Sequence, residues 1–222
     1  MTDVAQAALW LGVLTLGLLF CVLLHRLGVP TTYVRDLLHV GAGIWPLGWP
    51  FWHRAGVPSY IALGATAGLL VVPILAPRLR LLARLEQSVS GQDERWSGLV
   101  LYAASFAVMT WAGLRGNPFP AAVALFALAL GDGIGGAIGR RFGRHFFNAP
   151  GGKRKSIEGS AAVAALSILG AALAAEYFRV EVSAIVLLLL GLVAAIAEAV
   201  APRAADNALV PFAVWAVASV LR

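Results

Sequence analysis

Cysteine is almost missing from this chain: Cys21 is the only one in 222 residues. That excludes a disulfide framework and a cysteine-based metal site, and a lone thiol inside an apolar run reads as packing. Charge is scarce too. Asp, Glu, Lys and Arg make up 13% against 60% hydrophobic residues, with mean hydropathy +0.83, which excludes a soluble globular domain. No polar stretch is long enough for a separate soluble unit, and no internal repeat is visible. The first apolar run, 4–24, lacks a basic leader and a small-residue cleavage site and is too long for a signal core, so it reads as a retained membrane helix.

What is present is apolar sequence in lengths that cross a bilayer as helix, about 17–25 residues. Hydropathy punctuated by Pro, Gly and charge places spans near 4–24, 33–53, 57–76, 98–115, 118–139, 157–178, 182–200 and 206–221. The second carries Pro46 and Pro50, and the last is short. The expectation is an all-α, polytopic transmembrane helix bundle of seven or eight spans, forming one domain over 1–222.

The cations alternate between connections. Arg26, Arg35, Arg78, Arg80, Arg84, Arg95, Arg140, Arg141, Arg144, Lys153, Arg154, Lys155 and Arg203 fall on one side; Arg54, Arg115, Arg179 and Arg222 fall on the other. This split, 13 of the 17 Lys and Arg against 4, assigns the first group to the cytoplasm by the positive-inside rule. Cations placed by topology predict the bilayer as partner and no nucleic acid. Trp45, Trp49 and Trp52 read as interfacial anchors at the outer end of the second span. The connection 77–96 reads either as an interfacial helix or as a solvated basic loop.

Ionisable groups at span ends are costly, so their positions carry the most information. Arg35 and His39 stand four apart on one helix face, able to hold a phosphate or headgroup oxygen. Asp132 lies late in an apolar span, followed by Gly135, Gly139 and Gly143, a small-residue stripe that admits another backbone. A carboxylate there suits a divalent metal that also holds nucleotide phosphates, since Mg²⁺ takes only one or two protein carboxylates. The GxGxxG formed by Gly131, Gly133 and Gly136 is not a dinucleotide fingerprint, because no strand precedes it. The stretch GGKRKSIEGS, 151–160, lacks the spacing of a phosphate loop, yet its glycines, Lys153, Arg154, Lys155 and the N–H groups of the helix start form an anion site. Glu158 is favourable in that first turn and pairs with Ser156 as a cap or acts on a ligand. Glu198 ends a span as a metal ligand or base, and Asp206 and Asn207 open the next as caps or ligands.

These residues, in this order, resemble the polyprenol kinase family: dolichol kinases, phytol and farnesol kinases, and CTP-dependent diacylglycerol kinases. The matching features are Arg35 and His39, Gly131-Asp132-Gly133 with the spaced glycines, KSIEGS at 155–160, and Glu198 followed by Asp206 and Asn207. ERWSGLVLY, 94–102, adds a weaker match. The Asp and Lys-hydroxyl-x-Glu-Gly arrangement is shared more loosely with phosphatidate cytidylyltransferases, which make CDP-diacylglycerol from CTP.

The resemblance implies a phosphotransferase that moves the γ-phosphoryl group of CTP or ATP to the hydroxyl of a membrane lipid alcohol, with Mg²⁺ or another divalent cation. It implies catalytic roles for Asp132, Lys155, Glu158, His39, Arg35 and Glu198, the metal on Asp132 and Glu198, and nucleotide contacts from Gly131, Gly133, Gly152, Ser156, Gly159, Ser160, Asp206 and Asn207. The site is expected on the cytoplasmic face of a multi-pass membrane protein. A transporter or lipid-binding protein without chemistry is the remaining reading, and it would place ionisable groups through the membrane depth, where this chain has few.

Overall fold

The computed structural model describes residues 2–75, 78–80, 82–84, 96–150 and 154–221. Helix α1, Asp3–Arg26, is capped by the Thr2 hydroxyl and turns at Gly28, whose φ of 84° suits glycine. Helix α2 is Thr31–Ala42, followed by a 3-10 run, Trp45–Phe51. Helices α3, Gly56–Leu75, and α4, Ser97–Arg115, pack on one another. Helix α5, Pro118–Phe126, passes through a wider π turn, Ala127–Asp132, into α6, Gly133–Phe142. A short antiparallel ribbon pairs β1, Phe146–Asn148, with β2, Arg154–Ser156. Helices α7, Ile157–Phe178, α8, Ala184–Val200, and α9, Asp206–Val220, complete the fold.

The all-helical expectation therefore holds apart from the ribbon. Among the described residues, α1, α4, the continuous Pro118–Phe142 and α7 are long and apolar enough to cross a membrane, and Gly56–Val72, α8 and α9 are shorter apolar helices. The expected span 33–53 is not one helix. With 12 residues α2 reaches about 18 Å, short of the roughly 30 Å hydrocarbon core. Gly41, Gly43, Pro46 and Pro50 explain the break, since proline removes a helix donor and clashes with the preceding turn. The chain still returns to the start of α1, where the His53 backbone N–H donates to Asp3 Oδ1 at 2.8 Å.

Helix α5 forms the centre. Ala121, Ala122, Val123, Ala124 and Leu125 are all fully buried, as an all-round apolar helix must be, under α4, α7 and α9. The outward surfaces of α1 and α3 expose Leu16, Leu19, Phe20, Leu63 and Leu70, as lipid contact requires.

The anchoring role expected of the tryptophans is not what the fold gives them. Trp45, Trp49 and Trp52 are 6%, 3% and 9% exposed and belong to the core. Trp45 Nε1 donates to Thr110 Oγ1 at 2.8 Å, and a Cβ on Gly113 would meet the Trp49 ring at 2.6 Å. Because 45–51 form a 3-10 run and do not continue α2 as one α-helix, the indoles turn inward and pack in the core.

The glycine stripe performs the close packing its spacing predicts. A Cβ on Gly135 would lie 2.8 Å from Val163 N, and one on Gly139 would lie 3.0 Å from Gly159 Cα. Helices α6 and α7 thus touch backbone to backbone. At Gly136 the nearest atom to an added Cβ is Arg140 Nη1, the end of a flexible side chain, at 3.4 Å. Gly135→Ala should lower stability by about 1–3 kcal/mol through overpacking, whereas Gly136→Ala should be neutral or stabilising by up to about 1 kcal/mol. Thermal unfolding of the two variants in the same detergent checks this contrast.

Candidate functional site

Most of the polar side chains singled out in the sequence, Glu158 excepted, converge on a cavity of about 280 Å³ between α2, α6, the ribbon, α7 and the facing ends of α8 and α9. Five separate stretches feed it, each for a local reason.

Helix α2 supplies Arg35 and His39, one turn apart on a shared face, as their spacing predicts. His39 is 5% exposed. Its Nδ1 lies 3.1 Å from the Arg35 carbonyl and its Nε2 lies 2.9 Å from Asn207 Oδ1. The Tyr102 hydroxyl donates to the His39 carbonyl at 2.7 Å, and the two rings pack at 4.0 Å. Both imidazole nitrogens are engaged, so His39 ties α2 to α9 and α4 and has no nitrogen left for a substrate. Gly133 permits this packing: a Cβ there would meet His39 Cβ at 3.3 Å.

Asp132 reaches the cavity from the last residue of the π turn. Such turns realign a helix face and recur at functional sites. Gly131 instead faces α7, where its Cα leaves room for the Ser167 hydroxyl, and it does not line the cavity. The nucleotide contact expected of Gly131 is therefore not where the fold puts it, because the i→i+5 turn rotates residue 131 toward the core.

The ribbon delivers Arg154, Lys155 and Ser156. The Arg154 guanidinium stacks 4.2 Å from the Phe146 ring across the ribbon. Lys155 Nζ donates to Glu198 Oε1 at 2.6 Å and also to the Glu198 backbone carbonyl, with the two side chains 9% and 12% exposed. That carbonyl belongs to the last turn of α8, where a cation is favoured by the helix dipole. Glu198 is thus engaged with Lys155, and a metal on its carboxylate requires that pair to part. Gly152 and Lys153 lie outside the described residues.

Ser156 caps α7 by accepting from Gly159 N at 3.1 Å, and Ile157 N donates to the His145 carbonyl at 2.9 Å. The helix start therefore spends these N–H groups internally, contrary to the expectation that they cradle an anion. Gly159 and Ser160 line the cavity, with the Ser160 hydroxyl buried and without a hydrogen-bond partner.

Glu158 does not line it. Its carboxylate accepts from Arg144 N at 3.0 Å and His145 N at 3.2 Å and pairs with His145 Nδ1 at 2.6 Å. It fastens the loop that leads from α6 into the ribbon, because the first turn of α7 points its side chain at 144–145.

At the opposite wall, Asp206 and Asn207 open α9. The expected side-chain caps are replaced by other bonds. Asn207 Nδ2 donates to the Ala204 carbonyl at 3.3 Å, Asp206 Oδ1 accepts from Asn207 N at 3.0 Å, and Ser105 Oγ donates to the Asn207 carbonyl at 2.7 Å.

Sequence reasoning passed over Asp36 and Arg140, which form an ion pair at the cavity, and Phe146. Asp36 and Arg140 are 104 residues apart, so no local spacing signals them. With them, Arg35, Arg140, Arg154 and Lys155 face Asp36, Asp132, Glu198 and Asp206, four cations and four carboxylates. Among the described residues no three His, Cys, Asp or Glu form a metal-holding group. A cation brought in with phosphate oxygens fits this donor set, since those oxygens and water complete the shell.

The Lys155–Glu198 pair is buried enough for either partner alone to be destabilising. Lys155→Met or Glu198→Leu singly should lower stability by about 3–5 kcal/mol, and the double variant should recover most of that loss. A double-mutant cycle of thermal unfolding midpoints measures it.

No protein-family model matches the chain, and no solved structure is significantly similar to it. Among curated proteins it is similar to the phytol kinase of Synechocystis sp., with 33% identity over 175 residues, 75% of this chain and 67% of that one. Identity at this level over that share of both sequences shows that the protein belongs to the phytol kinase family.

Proposed function

We propose that the protein is a multi-pass membrane kinase that transfers the γ-phosphoryl group of a nucleoside triphosphate, CTP in preference to ATP, to the hydroxyl of an isoprenoid alcohol of the phytol type. The cavity opens on the cytoplasmic side in this reading, where the nucleotide is found. The observation that carries it is the convergence of Asp132, Arg35, Arg154 and Lys155 on one cavity of about 280 Å³ in a chain of this family.

Phosphoryl transfer needs positioning and charge neutralisation more than covalent help from the protein. The alcohol oxygen bonds to the γ-phosphorus, the bond from that phosphorus to the β,γ-bridging oxygen breaks, and a nucleoside diphosphate leaves. Arg35 and Arg154 meet phosphate oxygens at the rim. Lys155 turns from Glu198 to the phosphates, and the released Glu198 carboxylate accepts the hydroxyl proton. Asp132 would hold a divalent cation such as Mg²⁺, which would supply positive charge to offset that of the phosphates. His39 and Asn207 position α2 and α9 around these groups. Glu158 acts only through the 144–145 loop, outside the chemistry.

Membranes containing the protein should convert γ-labelled CTP and phytol into labelled lipid monophosphate. Asp132→Asn should reduce that product by about 10²–10³-fold with the protein still inserted. Label appearing in pyrophosphate, together with a CDP-lipid, would instead identify a cytidylyltransferase. Glu158→Gln should keep activity within about tenfold of the parent, because an amide still accepts the loop N–H groups. A loss as deep as that of Asp132→Asn would return Glu158 to the catalytic set.

A further inference from the structure

Two ion pairs line the cavity, and the proposed reaction uses one of them. The side chains of Lys155 and Glu198 are 9% and 12% exposed, whereas those of Asp36 and Arg140 are 15% and 40% exposed. Parting the first pair leaves charge in a low-dielectric surrounding, which is costly. Water already reaches the Arg140 guanidinium, and pairs with that exposure are held weakly. An incoming polyanion therefore draws on Arg140 more readily than on Lys155.

The backbone puts Arg140 in position for this. Asp132, Gly136 and Arg140 recur at four-residue spacing, so they share one face of α6, and all three line the cavity. The Arg140 side chain runs back along that face. Its Nη2 bonds Asp36 Oδ2, and a Cβ added to Gly136 would find Nη1 at 3.4 Å. The guanidinium thus lies near the level of Gly136, about 6 Å along the helix axis from Asp132. Glycine at 136 leaves open the space that any other side chain would fill. Asp36 borders the same space from α2, with its carbonyl 3.8 Å from a Cβ added to Gly133.

We infer that Arg140 is a further phosphate-binding residue of this site, stowed on Asp36 and handed to the phosphate oxygens beside Asp132 when a nucleotide enters. The inference rests on the nucleotide reading given above. The planar fork of a guanidinium matches the paired oxygens of a phosphate, whereas the bond to Asp36 runs from one nitrogen to one oxygen. A triphosphate also carries more negative charge than a single carboxylate, so the exchange favours the ligand. Asp36 is then a positioning residue: it holds the fork over Gly136 within reach of the phosphates, and it competes with them.

A pair that merely tied α2 to α6 would behave in the opposite sense, because loss of either partner would loosen the cavity and weaken binding. Equilibrium titration of the full-length protein in detergent, with Mg²⁺ and either CTP or inorganic tripolyphosphate, separates the two. Arg140→Gln should weaken both ligands by about tenfold or more. Arg141→Gln, the same charge change at a side chain outside the cavity lining, should stay within about twofold of the parent. Asp36→Asn should tighten both ligands about threefold, and that gain should shrink below about twofold in the Arg140→Gln background. Misfolding cannot produce a gain of affinity. Weaker binding in Asp36→Asn, an equal gain with and without Arg140, equal losses in Arg140→Gln and Arg141→Gln, or a loss in Arg140→Gln for CTP but not tripolyphosphate would each overturn the inference. Binding is read here without transfer, so a cytidylyltransferase result in the labelling assay leaves these expectations standing. A parent protein that binds neither ligand would overturn the nucleotide reading and this inference together.

Discussion

Helices α6 and α7 meet with almost nothing between their backbones, and the rest of the site is built on that contact. In lipid no hydrophobic drive pulls helices together, so close approach through small residues supplies van der Waals contact instead. Gly135 and Gly139 press on Val163 and Gly159, and Ser156 closes the stack at the start of α7. Because α7 begins there, the ribbon strand before it must lie beside the last turns of α6. Asp132 at one end of α6 and Lys155 on the ribbon then face a common space. A bulkier residue in the stripe would act on the cavity from behind, without touching a ligand.

Charge balance is the second constraint. Four cations and four carboxylates at a membrane-protein cavity could not persist singly at low dielectric. The Asp36–Arg140 and Lys155–Glu198 pairs hold part of that charge in closed form. In the proposed reading a polyanionic ligand competes for the cations and frees carboxylates. In the proposed reaction that exchange couples nucleotide binding to the appearance of a base at Glu198, so that the proton acceptor is exposed only when phosphate is present.

Much of this was legible in the sequence because it rests on periodicity. The i, i+4 pair Arg35 and His39, the four-residue glycine stripe and most polar residues at the ends of apolar runs find their place in or behind the cavity. What was not legible depends on pairings that spacing does not encode. Asp36 and Arg140 meet only through the tertiary packing of α2 on α6. Glu158 had the composition of a ligand, yet its turn directs it to a loop. Gly131 matched a motif, but the π turn rotated it out of register. The tryptophans had the composition of an interfacial belt, and the prolines that break the second helix turned them into core.

The central claim is that Asp132 holds the divalent cation that accompanies the phosphates, and metal exchange tests it most directly. In Asp132→Cys the thiolate prefers a soft ion to Mg²⁺, and Cys21, the other cysteine, is buried in the core. Transfer supported by Mg²⁺ should fall by about 10²-fold or more in this variant, with Cd²⁺ restoring activity to it and giving no such gain in the parent protein. Mg²⁺-supported transfer as fast in Asp132→Cys as in the parent would contradict the account.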